Sequence, residues 1–351
     1  MHSSPKVTAP LPLWDMLEGT APRGLLGLSD PNVHRVGDRW SLFVGGFSTS
    51  FRNRLYRADL PAGEDVRLTG WRLRTTAGGR PVPLVPDPPR GSWDAGGMHT
   101  PCYVPPHRGA PARVYYAGRR GRRHYGPGSA YAVGVLEQRP DGSWSRAAHP
   151  VATGTPDRPS ALEPAVVPVA DGYRMWFLSA PHEVGPGEQP DFELRASDSP
   201  DGIVWSRPRT FASRREGFFD TALYHGPDGW TMLLARGTDL HGTSPFPEQG
   251  LWAMRADTPS ADRADWSPPV RVLDTGAPAT PRWMGRGVCG PSVARTADGG
   301  LLVFFTGTHD SRSWWREAAA RIAALRRPPV PAPYFLATGG ARLEPAGRAG
   351  R

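Results

Sequence analysis

Lysine is the residue that this sequence most nearly lacks. Lys6 is the only lysine, so almost all of the 42 basic residues are arginines, and they outnumber the 33 acidic residues to give a formal net charge of +9. Such a bias points to codon usage rather than to a surface built for phosphate groups. The one dense basic run, Arg119 to Arg123, is predicted to be a solvated loop, and no nucleic-acid partner is expected.

Cysteine is also scarce. Cys102 and Cys289 are the only two, which is too few for a disulfide framework and compatible with a reducing compartment. Both fall in short apolar stretches that we interpret as inner strands of non-neighbouring repeats. We therefore predict small buried side chains and no disulfide between them.

Long hydrophobic runs are absent as well. No stretch approaches the length needed to span a membrane, and residues 1–13 lack an apolar core like that of a secretion signal. We expect a cytoplasmic protein with no membrane partner.

Glycine, proline and tryptophan are abundant instead. The 351 residues include 42 Gly, 41 Pro and 13 Trp, and 38% of the residues are hydrophobic. This composition is typical of many short strands that are joined by tight turns and packed on aromatic side chains.

One block recurs five times along the chain. It begins with an acidic or small residue that is usually followed by a proline. An apolar strand, a glycine-containing turn and a second apolar strand come next. The copies begin at Ser29, His99, Leu162, Phe219 and Cys289. The middle repeats end on Trp-Ser pairs at Trp144, Trp205 and Trp266, each 61 residues from the next. A repeat of about sixty residues with four short strands predicts an all-β, five-bladed β-propeller, in which four-stranded antiparallel blades surround a central axis.

The domain organisation follows from these repeats. We predict one propeller domain over residues 28–340, an N-terminal arm over 1–27 and a flexible C-terminal tail over 341–351, with one arm supplying a strand that closes the ring. The stretch from Trp314 to Arg326 has a helix-favouring composition, whereas the repeat register favours a third strand there. Both interpretations stay open.

The innermost strands of a propeller line its axis, so equivalent residues of the repeats should meet there. The residues at the position before the proline are Asp30, Thr100, Glu163, Asp220 and Gly290. Like charges at short range raise at least one pKa, and an acid–base pair of carboxyl groups is what glycosidic bond cleavage requires. Alternatively, these acids cap strands or hold a central ion or water. We predict Asp30, Glu163 and Asp220 as catalytic residues, with no cofactor and no metal site.

Five further side chains are candidates for substrate binding. His99 lies one position from the axial residue of the second repeat, where it could donate to a substrate hydroxyl. The others flank the inner strands, where loops would surround a pocket and aromatic faces could stack on a sugar ring. They are Trp93, Phe47, Trp283 and Arg286.

At these residues the sequence resembles the five-bladed propeller glycoside hydrolases around family 43, and the related family 32. The resemblance covers Leu28 to Phe305 and rests on Ser29-Asp30-Pro31-Asn32 and on the proline-initiated inner strands. It implies that Asp30 is the base or nucleophile. The family pattern has a pKa-tuning Asp in the third blade and an acid Glu in the fourth. Here the residue types are exchanged, and blade position assigns Asp220 as the acid and Glu163 as the tuning residue.

Three functions are compatible with this pattern. The first is a glycoside hydrolase-like enzyme that acts on a small glycoside by carboxylate acid–base catalysis. The second is an enzyme of specialised metabolism that uses the acids for a cyclisation, elimination or group transfer on a natural-product intermediate. The third is a non-catalytic sugar-binding propeller.

Overall fold

The computed structural model describes residues 6–48, 52–121, 130–181, 191–236, 248–310, 313–329, 331–332 and 334–344. The fold is all-β, as predicted, with one short α-helix and two single-turn 3₁₀ helices in the described residues. The strands are β1 Lys6–Asp15, β2 Leu25–Val36, β3 Arg39–Ser48, β4 Asn53–Asp59, β5 Arg72–Leu73, β6 Gly97–Val104, β7 Arg113–Arg119, β8 Tyr131–Gln138, β9 Trp144–Arg146, β10 Ala152–Thr153, β11 Ser160–Val169, β12 Gly172–Ala180, β13 Glu193–Ser199, β14 Arg209–Ala212, β15 Phe218–Gly226, β16 Gly229–Arg236, β17 Gly250–Ala256, β18 Val270–Asp274, β19 Val288–Arg295, β20 Leu301–Thr308 and β21 Leu336–Glu344.

These strands form antiparallel sheets in the order of the repeats. Strands β11 to β14 make one four-stranded sheet, β15 to β18 make another, and β1 joins β21, β20 and β19 in a third. The remaining strands form a nine-stranded sheet, in which β2–β5 and β6–β10 are connected by the parallel pair Asn53 and Gly97 between β4 and β6. We call these five strand groups the first (β2–β5), second (β6–β10), third (β11–β14), fourth (β15–β18) and terminal (β1, β19–β21) groups.

Hydrophobic clusters lie between the groups, because a strand buried on both faces needs apolar side chains on both. Phe43 and Val114 belong to the cluster between the first and second groups, and Trp176 and Met254 to the one between the third and fourth. Similar clusters join the second to the third, the fourth to the terminal, and the terminal to the first group. Each group is therefore packed between two others.

The repeated tryptophans belong to these interfaces. Trp144 packs edge to face against Phe43 at 6.3 Å between ring centroids, and Trp266 packs against Phe211 at the same distance. In both cases the tryptophan of one group meets an aromatic ring of the preceding group. The 61-residue spacing thus reflects packing between neighbouring groups.

The stretch after β20, for which the sequence left helix and strand open, is a helix. Helix α1 spans Trp314–Ala323, and the Ser313 side chain caps it by accepting the Arg316 amide. Its alanines favour a helix, and the third strand of this group is β21 instead.

The chain termini differ in part from the prediction. The N-terminal arm contains β1, which pairs with β21 along residues 6–15 and completes the terminal group. The flexible tail predicted from residue 341 is wrong for residues 341–344, because these residues belong to β21 and pair with both β1 and β20. Residues 345–351 lie outside the described part of the chain.

Both cysteines are free, so the prediction of no disulfide is confirmed. Cys102 is buried, and its sulfur accepts the Val166 amide at 3.2 Å. Burial raises the pKa of this thiol to about 11, so at neutral pH it behaves as a small apolar group. Cys289 is half-buried.

No helix in the described ranges is long and apolar enough to cross a membrane.

Candidate active site

A backbone irregularity interrupts four inner strands at the same place. In β2, β6, β11 and β19 the register shifts across the residue before proline and the proline itself, so these two residues oppose one residue on the partner strand. The residues before proline have left-handed backbone, with φ of 53° at Asp30, 50° at Thr100, 53° at Glu163 and 56° at Gly290. A bulge of this kind re-aims its side chain, and proline, which has no N–H, fits where the ladder is broken.

The fourth group departs from this rule. Thr221 replaces the proline after Asp220, the register shift lies between Phe218 and Asp220, and Asp220 does not have a positive φ. Asp220 is also the most deeply buried of the three acids, at 4% exposure, whereas Asp30 and Glu163 are partly exposed. Its environment therefore differs from that of the other two.

All five inner strands line one axial cavity of about 100 Å³. The lining residues are 30–34, 100–103, 163–167, 220–223 and 290–293. The structure thus brings the three predicted carboxylates together at one cavity. No three His, Cys, Asp or Glu side chains in the described ranges are arranged so that they could hold a metal ion.

Hydrogen bonds between groups hold these residues. The Asp30 carboxylate accepts the Ser29 hydroxyl at 2.8 Å and the backbone amide of Thr100 from the second group. The Asp220 carboxylate accepts the Gly290 amide at 2.7 Å. Each of these carboxylates therefore satisfies the backbone of the next group.

Burial gives the three acids pKa values above those of ordinary carboxyl groups. It raises the pKa of Asp30 to about 6, opposed by the hydrogen bonds from Ser29 and Thr100. Burial and then the negative charge of Asp30 raise the pKa of Asp220 to about 7. The pKa of Glu163 is raised well above its ordinary value by burial, then by the charges of Asp220 and Asp30, and by a hydrogen bond with Asp220. Their hydrogen bond raises the pKa of Glu163 and lowers that of Asp220, so between these two acids Glu163 is the one that holds the proton. Asp30, with hydrogen bonds from Ser29 and Thr100, is the acid whose ionised form is favoured most.

His99 belongs to an aromatic layer beside the acids. It is 8% exposed and packs edge to face on Tyr131 at 5.0 Å, and the Arg119 guanidinium lies 5.7 Å from the centre of the same tyrosine ring. Burial, with a contribution from the Glu163 charge, raises the pKa of Tyr131. Burial also raises the pKa of Tyr334, to which the charge of Asp30 contributes. Neither tyrosine lies on an inner strand, so the sequence repeat did not identify them as neighbours of the acids.

Arg119 corrects one prediction. It was expected in a solvated loop, but it is fully buried at the end of β7 and donates to Asn53 Oδ1 at 3.1 Å. Aromatic and amide partners from two other strands allow an arginine to be buried here. Residues 122 and 123 of the same basic run lie outside the described part of the chain.

Trp93 and Trp283 lie in sheet packing and not in the lining of the axial cavity. Trp93 stacks on Tyr116 at 5.8 Å, and Trp283, which is 6% exposed, stacks on Phe305 at 5.4 Å. The two indoles cover glycines: a Cβ at Gly118 would lie 2.6 Å from Trp93, and one at Gly307 would lie 2.6 Å from Trp283.

This placement gives both tryptophans a packing function. Each precedes its axial residue, Thr100 or Gly290, by seven positions, a regularity that could have identified them as a repeated packing element. With one ring face stacked and the edge over glycine, neither is placed as a sugar-stacking side chain.

Phe47 and Arg286 also lie away from the cavity lining. Phe47 is half-buried on β3, where it pairs with Gly27 and Asn53. Arg286 is half-buried just before β19, and its backbone amide bonds to the Thr308 carbonyl. Their part in substrate binding stays a prediction.

Comparison with known proteins places this geometry in a structural context. No protein-family profile matches the sequence, and no curated protein is similar to it. A thermostable family-43 glycoside hydrolase shares 13% sequence identity over 92% of this chain and 93% of its own, with a TM-score of 0.58. An α-L-arabinofuranosidase from Lactobacillus brevis shares 11% over 92% and 96%, with a TM-score of 0.57.

A third solved structure is similar to the same extent. It is a GH43_1 enzyme from Xanthomonas citri complexed with xylose, which shares 11% identity over 95% of this chain and 90% of its own, with a TM-score of 0.54. Identities this low carry information about the fold alone. The chain therefore has the fold of the family-43 glycoside hydrolases.

Proposed function

We propose that this protein is a glycoside hydrolase that cleaves a small glycoside at the axis of a five-bladed propeller. The convergence at one cavity of three carboxyl groups whose pKa values are all raised carries this proposal. Such a set supplies a carboxylate that is ionised and a carboxyl group that is protonated near neutral pH, the two species that glycosidic bond cleavage requires.

The count of five blades is part of this proposal. It is supported by the five strand groups, each with an inner strand at the axial cavity, and by the hydrophobic clusters that join each group to two others. A single pair of residues connects β4 to β6, so we count the nine-stranded sheet as two blades. The propeller is a single domain that starts near residue 28 and extends through β21, with β1 as its closing strand.

The carboxyl groups have separate roles in this mechanism. Asp30, the most readily ionised, acts as the base or nucleophile. Glu163 has its proton held by burial and by two neighbouring charges, and it is more exposed than Asp220, so it protonates the departing oxygen. Asp220 is buried and bound to the Gly290 amide, and it raises the pKa of Glu163 by its charge. This assignment exchanges the roles that blade position alone gives to Glu163 and Asp220.

The axial cavity is small for a substrate pocket. At about 100 Å³ the cavity is far smaller than the roughly 300–1,000 Å³ of ligand pockets, so it does not enclose a sugar. His99, which lies one residue from the axis, is the proposed donor to a substrate hydroxyl. Aryl xylosides and aryl arabinofuranosides are the first substrates to screen, because the similar structures include an enzyme complexed with xylose and an α-L-arabinofuranosidase.

Replacement of Asp30 tests the proposal. Asp30→Asn preserves the side-chain volume and removes the basic carboxylate, so kcat/KM on the best aryl glycoside should fall by roughly 1,000-fold or more while the fold is retained. Asp38→Asn is the matched control, because Asp38 is exposed in the following hairpin and should leave turnover unchanged. Undiminished turnover by a folded Asp30→Asn protein would contradict the proposal.

A further inference from the structure

Thr306 contacts the proposed base from another strand group. It is fully buried on β20, and its Oγ1 accepts the backbone amide of Asp30 at 2.7 Å. The two residues are 276 positions apart in sequence. This bond therefore depends on the approach of the terminal group to the first group.

The Asp30 amide requires a partner because of the bulge. The β2–β3 ladder pairs Ser29 with Gly45 and then Asn32 with Phe43, so it skips Asp30 and Pro31. A buried amide without a hydrogen-bond partner destabilises the folded state. Left-handed backbone is also disfavoured for aspartate before a proline, so the conformation needs support from its surroundings.

In two other groups, the backbone amide of the axial residue is bonded to a carboxylate from the preceding group. Asp30 accepts the amide of Thr100, and Asp220 accepts the amide of Gly290. The terminal group precedes the first, but its axial residue is Gly290, which has no side chain. A Cβ there would lie 3.0 Å from Asp30 Cα, so a larger residue would crowd Asp30. The hydroxyl oxygen of Thr306, on the adjacent strand, takes this place.

We propose that Thr306 is a positioning residue: by accepting the Asp30 amide it holds the left-handed bulge that aims the Asp30 carboxylate into the axial cavity. The inference rests on the proposed function, since it assigns to Thr306 an effect on catalysis through Asp30. The hydrogen bond from the Thr100 amide favours the ionised form of the Asp30 carboxylate. Without the Thr306 bond, the carboxylate shifts away from this amide.

The test compares two buried threonines on the same strand. Thr308 is also fully buried on β20, but its Oγ1 has no partner among the described residues. Thr306→Val should lower kcat on the best aryl glycoside by roughly 10- to 100-fold with KM changed less than about threefold, because misplacement of a reacting group acts on the chemical step. Thr308→Val should leave both constants unchanged.

Two readouts separate positioning from a general loss of stability. The acidic limb of the pH profile should move to higher pH in Thr306→Val, because Asp30 loses the hydrogen bond from Thr100. Thr306→Ser retains the oxygen and should restore activity to within about threefold of the wild type. Equal effects of Thr306→Val and Thr308→Val, or a Thr306→Ser protein as impaired as Thr306→Val, would overturn the inference.

A crystal structure of Thr306→Val distinguishes failure of this inference from failure of the proposed function. If the wild type hydrolyses no glycoside, the function is wrong, yet the Asp30 backbone should still leave its left-handed conformation in the variant. An unchanged Asp30 in that structure refutes the positioning role whatever the protein catalyses.

Discussion

The three axial acids have similar chemistry and different surroundings. Asp30 accepts hydrogen bonds from Ser29 and Thr100 that favour its ionised form, and Asp220 accepts one from Gly290 and one from Glu163. The negative charges of Asp220 and Asp30 raise the pKa of Glu163. Burial raises the pKa of all three acids and does not distinguish them. Their hydrogen-bond partners and neighbouring charges do, because these lower the pKa of one acid and raise that of another. The sequence placed the three together, and the order in which they ionise follows from their contacts.

Substitution of the other two acids tests this order. With Glu163 as the acid, Glu163→Gln should reduce hydrolysis of a glycoside with a poor leaving group by roughly 100-fold or more, and that of an activated aryl glycoside much less. Asp220→Asn removes a charge that raises the pKa of Glu163, so the alkaline limb of the pH profile should move to lower pH. Rates across a leaving-group series and pH profiles measure both. The opposite pattern, with leaving-group dependence in Asp220→Asn, would restore the assignment by blade position.

At the scale of elements, a short motif determines where each side chain points. The pairing of an axial residue with proline produces a left-handed bulge in β2, β6, β11 and β19, and the fourth group, which has Asp220-Thr221, lacks it. The tryptophans before β6 and β19 are a second repeated element, since each covers a glycine on the adjoining strands. Both elements fit the sequence repeat. The repeat predicted the axial position of the residue before the proline, whereas the bulge there and the packing function of the tryptophans came from the structure.

The packing assignment of Trp283 predicts a large effect on stability. Trp283→Ala leaves a cavity over Phe305 and Gly307 and should lower the free energy of unfolding by about 3–5 kcal/mol. Trp315→Ala, in α1, removes a side chain that is 76% exposed and should change this free energy by no more than about 0.5 kcal/mol. Chemical denaturation of the two variants measures the difference. A Trp283→Ala protein as stable as the wild type, but with a raised KM, would instead indicate a substrate-stacking role.

At the scale of the whole molecule, the packing of the strand groups makes the axis an unfavourable place for charged side chains. Each group buries its apolar surface against two others, and the inner strands place three acids at the axial cavity. Charge there opposes folding, because burial raises the pKa of all three acids. The apolar interfaces must offset this cost, as is common at active sites.

Stability should therefore depend on pH in a defined direction. The Asp30 pKa is about 6 in the folded state and 3.8 ordinarily, so between these values the folded state holds a proton that the unfolded state has lost, and stability falls as pH rises. Asp30→Asn removes this term, and at pH 8 the variant should be more stable than the wild type by about 2–3 kcal/mol. The difference should vanish near pH 3.5.

Thermal unfolding of Asp30→Asn, Asp38→Asn and the wild type across this pH range measures the effect. Asp38→Asn should follow the wild type throughout. An Asp30→Asn protein that is destabilised equally at every pH would show that the side chain stabilises the fold rather than opposing it.

The sequence by itself determined the strands and the place of the acids. Strand alternation, turn residues and the proline that follows four of the five axial residues are local properties. The repeated block puts Asp30, Glu163 and Asp220 at equivalent positions, so one shared cavity was predictable from the sequence. The two free cysteines followed from the same register.

Only the tertiary structure decided what surrounds each residue. Arg119 is buried because Tyr131 and Asn53 from other strands meet it, Trp283 is in the core because Gly307 leaves room for it, and Asp30 is held by Thr306 from the opposite end of the chain. These contacts depend on how the groups approach one another when the ring closes. A repeat along the sequence specifies each group, but it carries no information about which side chains meet across the interfaces between groups.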